Sequence, residues 1–382
     1  MEHLINRRVK QIEISGIRKF YNMVADMEGT ISLTIGQPDF LTPAHVREAG
    51  KRAIDENKTT YTHNAGNHDL RKAAADFYSK KYGVSYSPET ETIITVGASE
   101  AIDISFRTIL DESSEVILPG PVYPGYEPII TLCGAIPVHA DLRENGFRMT
   151  ADVIKKYLSE KTRCIVIPYP SNPTGISLNE QELKEIADLV RGKDIFILAD
   201  EIYSELSYGE PHVSIASFLK EQSIVINGLS KSHSMTGWRI GMLFAPEAVS
   251  KHLLKVHQYN VTCASSISQA AALDALTAGI DDPEEMRMEY AARRDYVFDR
   301  LEDMGLDVIK PDGAFYFFVK IPFAGVNSFD FALSLVKEAG VAVVPGSAFS
   351  RFGEGYFRLS FAYSMETLTQ GLDRLKSYLK SQ

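Results

Sequence analysis

Short apolar runs alternate with segments of helical spacing through the middle of the chain. The runs that predict buried strands are Thr92–Val96, Glu115–Leu118, Cys164–Pro168, Ile195–Leu198 and Ser223–Ile226. Apolar runs separated by helical segments are typical of a parallel sheet with helices on both faces. The pattern therefore predicts an α/β fold, with its chemistry at the carboxyl ends of the strands.

The two ends of the chain have a different pattern. From about Gln11 to Met27 the apolar spacing is helical, and Ile31–Gly36 then has the pattern of a short strand. Beyond residue 280 we predict one helix and three strands, over Met286–Met304, Gly313–Lys320, Val341–Val344 and Tyr356–Ser360. We therefore predict an N-terminal arm (1–44) that is part of a small domain, a large domain (45–280) and a small C-terminal α+β domain (281–382).

Composition narrows the classes of partner. The 382 residues include 40 Lys and Arg against 50 Asp and Glu, a net charge of −10, which disfavours binding to nucleic acid or to a membrane surface. The first 20 residues mix charges among apolar positions and contain neither a signal-peptide core nor a membrane span. The cysteines, Cys133, Cys164 and Cys263, form no CxxC pair, which is typical of a reducing compartment. We expect a cytoplasmic protein that acts on small molecules.

One segment combines a lysine with an arginine in a pattern that has its own chemistry. Ser230 and Lys231 begin a run of small polar residues, and Arg239 follows eight positions after the lysine. A lysine amine can form a Schiff base with an aldehyde, and a guanidinium can hold a phosphate. This pairing is suited to pyridoxal 5'-phosphate.

A second phosphate-binding feature follows the first predicted strand of the large domain. Gly97-Ala98-Ser99 come directly after Thr92–Val96 and open a helical segment. Free N–H groups and partial positive charge at a helix N-terminus favour an anion. We therefore expect Ala98 and Ser99 to bind the same phosphate as Arg239.

These motifs occur in the order found in the class I/II aminotransferases of pyridoxal-phosphate fold type I, which the chain resembles from its N-terminal arm to beyond Arg358. The resemblance implies a large domain with a mostly parallel seven-stranded sheet between helices, and a smaller α+β domain. It also implies pyridoxal 5'-phosphate as the cofactor with no metal, and ping-pong transfer of an amino group between an amino acid and a 2-oxo acid. The enzyme would be a homodimer with shared active sites.

The resemblance assigns most site residues to the cofactor. It implies that Lys231 forms the Schiff base and moves the proton, and that Asp200, at the end of Ile195–Leu198, pairs with the pyridine nitrogen. Tyr203 and Asn172 would donate to the ring oxygen, and Tyr123 would stack on the ring. The remaining cofactor contacts would be made by phosphate ligands, which are Ala98, Ser99, Ser230, Arg239 and, from the neighbouring subunit, Tyr61.

Substrate contacts follow from the same resemblance. Arg358 would bind the substrate α-carboxylate as a bidentate pair, Asn172 would lie beside it, and Gly36 and Ile17 would close over the substrate. One position departs from the family pattern. Gly228 stands three residues before the lysine, where many members have Ser or Thr, so a phosphate hydroxyl is missing or is replaced by a backbone amide.

Three longer segments, Ile14–Phe20, Pro119–Tyr126 and Asn227–Gly237, resemble more narrowly the N-acetyl-L,L-diaminopimelate aminotransferases of bacterial lysine biosynthesis. In that role glutamate would be the amino donor and 2-oxoglutarate its product. An aromatic or aspartate aminotransferase is the close alternative. A carbon–sulfur lyase of the same fold would share the main residues, whereas a DNA-binding regulator is disfavoured because the chain has no basic helix-turn-helix segment.

Overall fold

The computed structural model describes residues 1–24, 27 and 29–382. Its α-helices are α1 (Arg7–Gln11), α2 (Gly16–Val24), α3 (Ala44–Asp55), α4 (His68–Tyr82), α5 (Gly97–Ile109), α6 (Tyr126–Leu132), α7 (Ala151–Lys155), α8 (Glu180–Val190), α9 (Ala216–Leu219), α10 (Leu229–Ser232), α11 (Glu247–Val261), α12 (Ser266–Thr277), α13 (Pro283–Glu302), α14 (Ser328–Ala339) and α15 (Met365–Ser381). Its strands are β1 (Ile31–Ser32), β2 (Thr92–Thr95), β3 (Glu115–Gly120), β4 (Ile136–Asp141), β5 (Thr162–Ile167), β6 (Phe196–Asp200), β7 (Ser223–Gly228), β8 (Gly241–Phe244), β9 (Tyr316–Lys320), β10 (Val341–Ala342), β11 (Val344–Pro345) and β12 (Tyr356–Ser360).

A seven-stranded sheet forms the centre of the molecule. Its strand order is β2-β8-β7-β6-β5-β3-β4, and β8 runs antiparallel to both of its neighbours while the other pairs are parallel. This confirms the predicted α/β fold with a mostly parallel sheet. The five strands predicted from apolar runs correspond to β2, β3, β5, β6 and β7.

Helices cover both faces of this sheet. Successive residues of its central strands alternate between two apolar cores: Ile197 belongs to the core with α3, α4, α8 and α12, and Leu198 belongs to the core with α5, α6 and α11. Because side chains alternate along a strand, a strand buried on both faces is apolar at most of its positions. This explains why these strands could be recognised as uninterrupted apolar runs.

A separate antiparallel sheet, β11-β12-β9, lies in the C-terminal part of the chain. The predicted strand Val341–Val344 is divided, because β10 pairs in parallel with β1 of the N-terminal arm whereas β11 joins the other sheet. The arm also contributes Phe20, Val24 and Leu33 to the apolar core of the C-terminal part. The division into domains at residues 44 and 280 stays a prediction.

The predicted N-terminal helix from Gln11 to Met27 differs from the structure. Two helices, α1 and α2, occupy this part of the chain, and Ile12 between them has an extended backbone. Residues 25 and 26 of the predicted helix lie outside the described residues. After this break, α2 lies beside a cavity at the ends of the central strands. No helix in the described part of the chain is long and apolar enough to cross a membrane.

Candidate active site

A cavity of about 780 Å³ lies beyond the carboxyl ends of the central strands, facing the N-terminal arm and the C-terminal part of the chain. It brings together residues from segments far apart in the sequence. The predicted site residues that line it are Ile17, Gly36, Ala98, Ser99, Tyr123, Asn172, Asp200, Tyr203, Ser230, Lys231, Arg239 and Arg358. Tyr61 is the exception, because it is 85% exposed and does not line this cavity in the single chain.

Lys231 lies in α10, directly after the buried strand β7. Its amine donates a hydrogen bond of 2.5 Å to the carbonyl oxygen of Gly36. Burial lowers the pKa of Lys231 to about 8, and the positive charges of Arg358 and Arg239 act in the same direction. An appreciable fraction of this amine is therefore neutral, and so nucleophilic, near neutral pH.

Asp200 is the last residue of β6 and is buried among the polar residues of the cavity. Burial raises the pKa of its carboxyl to about 6, although two hydrogen bonds favour the ionised form. Tyr126 donates one of them to Oδ2 at 2.6 Å, and the backbone N–H of Ile202 donates the other to Oδ1 at 3.3 Å. A buried carboxylate of this kind is suited to pairing with a cationic nitrogen.

Tyr126 was not predicted as a site residue. It lies at the start of α6, is fully buried, and contacts Tyr123 edge to face with ring centroids 5.6 Å apart. The aromatic residues three positions apart were visible in the sequence. Only the fold, which brings α6 beside the end of β6, shows that Tyr126 orients the Asp200 carboxylate.

The N-terminus of α5 and Arg239 form one concave polar surface. Arg239 has a left-handed backbone (φ 57°), and its guanidinium donates to the carbonyl oxygen of Thr236 at 3.0 Å. A Cβ at Gly97 would lie 2.5 Å from Arg239 Nη2, and one at Gly241 would lie 2.8 Å from the amide nitrogen of Ala98. Both glycines are required for this close approach of backbone and guanidinium.

A buried ionisable pair supports the same helix end from behind. Glu100 Oε2 accepts a 2.5 Å hydrogen bond from the backbone N–H of Val96, and Glu100 Oε1 is 2.7 Å from His257 Nδ1. His257 Nε2 is 2.8 Å from the carbonyl oxygen of Asn64. The pair connects α11 and the loop before α4 to the first turn of α5, and so fixes the direction of the free N–H groups.

The absence of a side chain at Gly228 has a steric reason. A Cβ there would lie 3.0 Å from the carbonyl oxygen of Ile240 and 3.2 Å from Gly241 Cα, because β7 and β8 approach each other closely. A serine or threonine would need these strands to separate. A glycine at 228 thus allows the closest approach of these two strands, and a Cβ would move them apart by a few tenths of an ångström.

Arg358 is buried in the middle strand of the three-stranded sheet. Nη1 donates to Asn172 Oδ1 at 2.9 Å, Nη2 donates to the carbonyl oxygen of Thr34 at 2.6 Å, and the guanidinium lies 4.3 Å from the centre of the Tyr316 ring. Nε has no hydrogen-bond partner among the described residues. A buried guanidinium with an unpartnered donor that lines a cavity is suited to a carboxylate ligand.

Tyr316 is a second residue that the sequence analysis missed. It is fully buried in β9, and its hydroxyl is 2.8 Å from that of Tyr203. A Cβ at Gly36 would lie 2.6 Å from Tyr316 Oη, so the arm approaches this hydroxyl directly. The aromatic run Phe315–Phe318 indicated a core strand but gave no sign that one ring supports both Arg358 and Tyr203.

Comparison with known proteins gives the same assignment along nearly the whole chain. The family model described as aminotransferase class I and II matches residues 28–375. A Bacillus subtilis protein named a probable N-acetyl-LL-diaminopimelate aminotransferase is 62% identical over 379 residues, which cover 99% of this chain and 96% of that protein. Aromatic-amino-acid aminotransferase 2 of Thermococcus litoralis is 42% identical and covers 99% of each chain.

Solved structures agree with the sequence comparisons. The structure of aspartate aminotransferase from Thermus thermophilus with maleate matches this fold with a TM-score of 0.93 at 34% identity, covering 98% of this chain and 99% of that one. The fold, the composition of the cavity and the extent of these matches agree with one another. The chain belongs to the class I and II aminotransferases.

Proposed function

We propose that this aminotransferase holds pyridoxal 5'-phosphate in the central cavity and transfers an amino group between N-acetyl-L,L-diaminopimelate and 2-oxoglutarate, in the direction used in lysine biosynthesis. The single observation that supports the substrate is the 62% identity to the Bacillus subtilis relative over nearly the full length of both chains. An aromatic or aspartate aminotransferase is the second candidate, because relatives with those names are 42% and 40% identical.

The chemistry of the cavity fits this cofactor at each of its polar groups. The aldehyde needs an amine, which Lys231 supplies with a pKa of about 8. The ring nitrogen needs a carboxylate partner. Asp200 can be this partner, because it is buried in the cavity and oriented by the hydrogen bond from Tyr126. The phosphate needs hydrogen-bond donors, and backbone N–H groups at a helix N-terminus can supply them. Gly97 and Gly241 have no side chains that would fill the space between these N–H groups and Arg239.

Pyridoxal phosphate, when bound, supplies an electron sink for the negative charge that develops at the substrate Cα. The chain supplies the proton transfer and its direction. Lys231 is the base within the cavity that can take the Cα proton, because burial keeps part of the amine neutral. A carboxylate at Asp200 keeps a proton on the nitrogen that faces it, which strengthens the withdrawal of charge.

Arg358 is proposed to orient the substrate through its α-carboxylate. Asn172 and the carbonyl oxygen of Thr34 already hold the two terminal nitrogens of the guanidinium, so the side chain loses little freedom when a carboxylate binds. Tyr316 beneath the guanidinium prevents it from moving away from the cavity. Fixing the carboxylate directs the Cα–H bond toward Lys231.

The active enzyme is proposed to be a cytoplasmic homodimer in which Tyr61 reaches the phosphate of the neighbouring subunit. The exposure of three large side chains supports this proposal. Tyr61 is 85% exposed in the single chain, together with Leu41 at 80% and Tyr259 at 87%. Large apolar side chains exposed to this extent are suited to an interface with a second copy.

A steady-state panel tests the reaction and its alternatives together. The loaded protein is given glutamate with the 2-oxo acid of N-acetyl-L,L-diaminopimelate, of phenylalanine or of aspartate, and production of 2-oxoglutarate is measured. We expect the highest kcat/KM with the acetylated substrate. A preference for the aromatic or aspartate pair would overturn the substrate proposal, and release of pyruvate and ammonia from a thioether amino acid without an acceptor would indicate a carbon–sulfur lyase.

A further inference from the structure

Arg18 is a cation in the cavity wall to which the proposed reaction assigns no role. It lies on α2 and lines the cavity together with Ser15 and Tyr21. Ser15 directly precedes α2, while Arg18 and Tyr21, three positions apart, lie on one face of the helix, and this face lines the cavity. Tyr123 lines the same cavity, and the positive charge of Arg18 opposes the rise that burial causes in the pKa of Tyr123.

The neighbouring cation on the same helix behaves differently. Lys19 forms a 2.5 Å ion pair with Glu13 and does not line the cavity. Within residues 1–24, 27 and 29–382, Arg18 has no carboxylate at ion-pair distance. Arg18 therefore presents its charge to the cavity, whereas the charge of Lys19 is already compensated.

The other charged groups of the cavity wall each have a partner in the proposed reaction. Among the described residues these are Lys231, Asp200, Arg239 and Arg358. In the proposed reaction Lys231 reacts with the cofactor aldehyde and Asp200 pairs with the ring nitrogen. Arg239 binds the phosphate, and Arg358 binds the substrate α-carboxylate. Arg18 is the remaining cation, and a planar guanidinium is the side chain best suited to a carboxylate.

Resting on the proposed function, we propose that Arg18 binds the second carboxylate of the substrates and so selects dicarboxylic amino and 2-oxo acids. Glutamate, 2-oxoglutarate and N-acetyl-L,L-diaminopimelate each carry a carboxylate at the end remote from the reacting carbon. These carboxylates lie at different distances from Cα. A long side chain on the exposed arm, at the entrance of the cavity, can reach both positions.

This assignment separates the substrate proposal from its aromatic alternative. Phenylalanine and tyrosine have no second carboxylate, so a cation at this position would contribute nothing to their binding. Arg18 would give a dicarboxylate preference of the order that one charge-assisted pair supplies, which is about tenfold to a hundredfold in affinity. Arg18 is therefore proposed as a specificity-determining residue.

Equilibrium binding to the loaded enzyme tests the proposal without relying on turnover. Calorimetry measures the Kd of glutarate and of butyrate, which differ only by the second carboxylate, for the wild type and for Arg18→Gln, Arg18→Lys and Lys19→Gln. We expect Arg18→Gln to raise the glutarate Kd at least tenfold and leave the butyrate Kd unchanged. Arg18→Lys should recover part of the loss, and Lys19→Gln, which removes the same charge from the same helix, should change neither value.

Half-reaction rates with glutamate and with 2-aminobutyrate provide a parallel readout, and Arg18→Gln should slow only the first. Equal effects on both ligands, no effect on either, or a wild type that binds glutarate no better than butyrate would each overturn the role of Arg18. If Arg18 discriminates as expected but the acetylated diamino acid is not a substrate, the proposed function falls and the assignment of Arg18 stands.

Discussion

Burial shifts the proton affinities of the two ionisable groups at the centre of the cavity in opposite directions. It lowers the pKa of Lys231 to about 8 and raises the pKa of Asp200 to about 6. In both cases the charged form is disfavoured, because each group has lost solvent and neither has a full counter-ion. The cavity thus holds two charges whose partners a bound ligand can supply.

For Asp200 this leads to a prediction about stability. The carboxyl of Asp200 has a pKa of about 6 in the folded chain, against an ordinary value of 3.8. Its proton therefore stabilises the cofactor-free fold below pH 3.8, and this stabilisation is lost as pH rises through about 6. Above that pH the ionised carboxylate costs about 3 kcal/mol. Asp200→Asn should therefore raise the Tm of the cofactor-free protein at pH 7.5 and raise it much less at pH 4.5, where only about a third of that cost, about 1 kcal/mol, is present. The same change in Tm at both pH values would contradict a raised pKa of Asp200 in the folded protein.

The stabilised variant should be impaired in catalysis. Asparagine can still accept the hydrogen bond from Tyr126, but it carries no charge to hold a proton on the cofactor nitrogen. We expect kcat to fall by a hundredfold or more, about 3 kcal/mol in the barrier, while the protein remains folded. Stability and activity are then opposed at one position, as expected for a buried functional group.

Lys231 has a prediction of its own. Lys231→Ala removes the amine but none of the proposed phosphate ligands or Asp200, so the variant should still bind pyridoxal phosphate. Turnover should fall by orders of magnitude, since no other amine lines the cavity among the described residues. Binding is measured by equilibrium dialysis and turnover by single-turnover assay. Transamination near the wild-type rate would show that another group moves the proton.

Close approach of three elements produces the proposed phosphate site. β8 begins at Gly241, α5 begins at Gly97, and Arg239 precedes β8 in a left-handed conformation. The glycines matter because a Cβ at either one would contact the backbone or the guanidinium at 2.8 Å or less. The site is therefore a property of how the elements pack and not of any single side chain.

Gly241→Ala tests this packing. Its Cβ would lie 2.5 Å from the Gly97 carbonyl carbon, so α5 must move, and such overpacking costs about 1–3 kcal/mol. We expect the affinity for pyridoxal phosphate to fall about tenfold or more in a fluorescence titration. Gly237→Ala is the matched control, because a Cβ at Gly237 has no atom within 4 Å. Equal affinities for the two variants would contradict the proposed phosphate site.

The strands that could be predicted from the sequence are those that are buried on both faces. Strands buried on both faces, such as β6, are apolar along most of their length, and β6 was predicted from that pattern although it ends at Asp200. β4 was missed because it lies at the sheet edge and is mostly half-buried, and β8 because its four residues follow directly on the lysine motif. β4 has no continuous apolar run, whereas the apolar run of β8 was assigned to the lysine motif and was not predicted as a strand.

The site was predicted to a similar extent, and for a related reason. Lys231 and Asp200, which were predicted from local motifs and from the resemblance to a family, both line the cavity, and their roles stay predictions. Tyr126, Tyr316 and Arg18 were not predicted, because their place in the cavity depends on distant elements that fold beside them. The residues next to a tyrosine or an arginine in the sequence do not indicate which distant group its side chain will contact.

At the scale of the whole molecule, the shared-site proposal makes a prediction about mixed dimers. Lys231→Ala and Tyr61→Ala each damage a different half of the proposed site. In a hybrid of the two, one site has its own Lys231 and the partner's intact Tyr61. Mixing the variants under subunit exchange at limiting cofactor should therefore restore activity above that of either alone.

The expected recovery has an upper bound. Hybrids make up half of a random 1:1 mixture and contain one intact site each, so about a quarter of the wild-type activity is the limit if exchange is complete. A mixture that shows only the mean of the two variants would contradict a shared site, provided that exchange is verified by mass spectrometry of the intact dimers.

Lys231 and its neighbours are proposed to transfer an amino group from glutamate and from N-acetyl-L,L-diaminopimelate through one cofactor. The most direct test follows the absorbance of the loaded protein as each amino acid is added without an acceptor. We predict that both convert the cofactor fully to its amino form, with release of one 2-oxo acid per site. Conversion by glutamate but not by the acetylated diamino acid would contradict the substrate, and no conversion by either would contradict the role of the cavity itself.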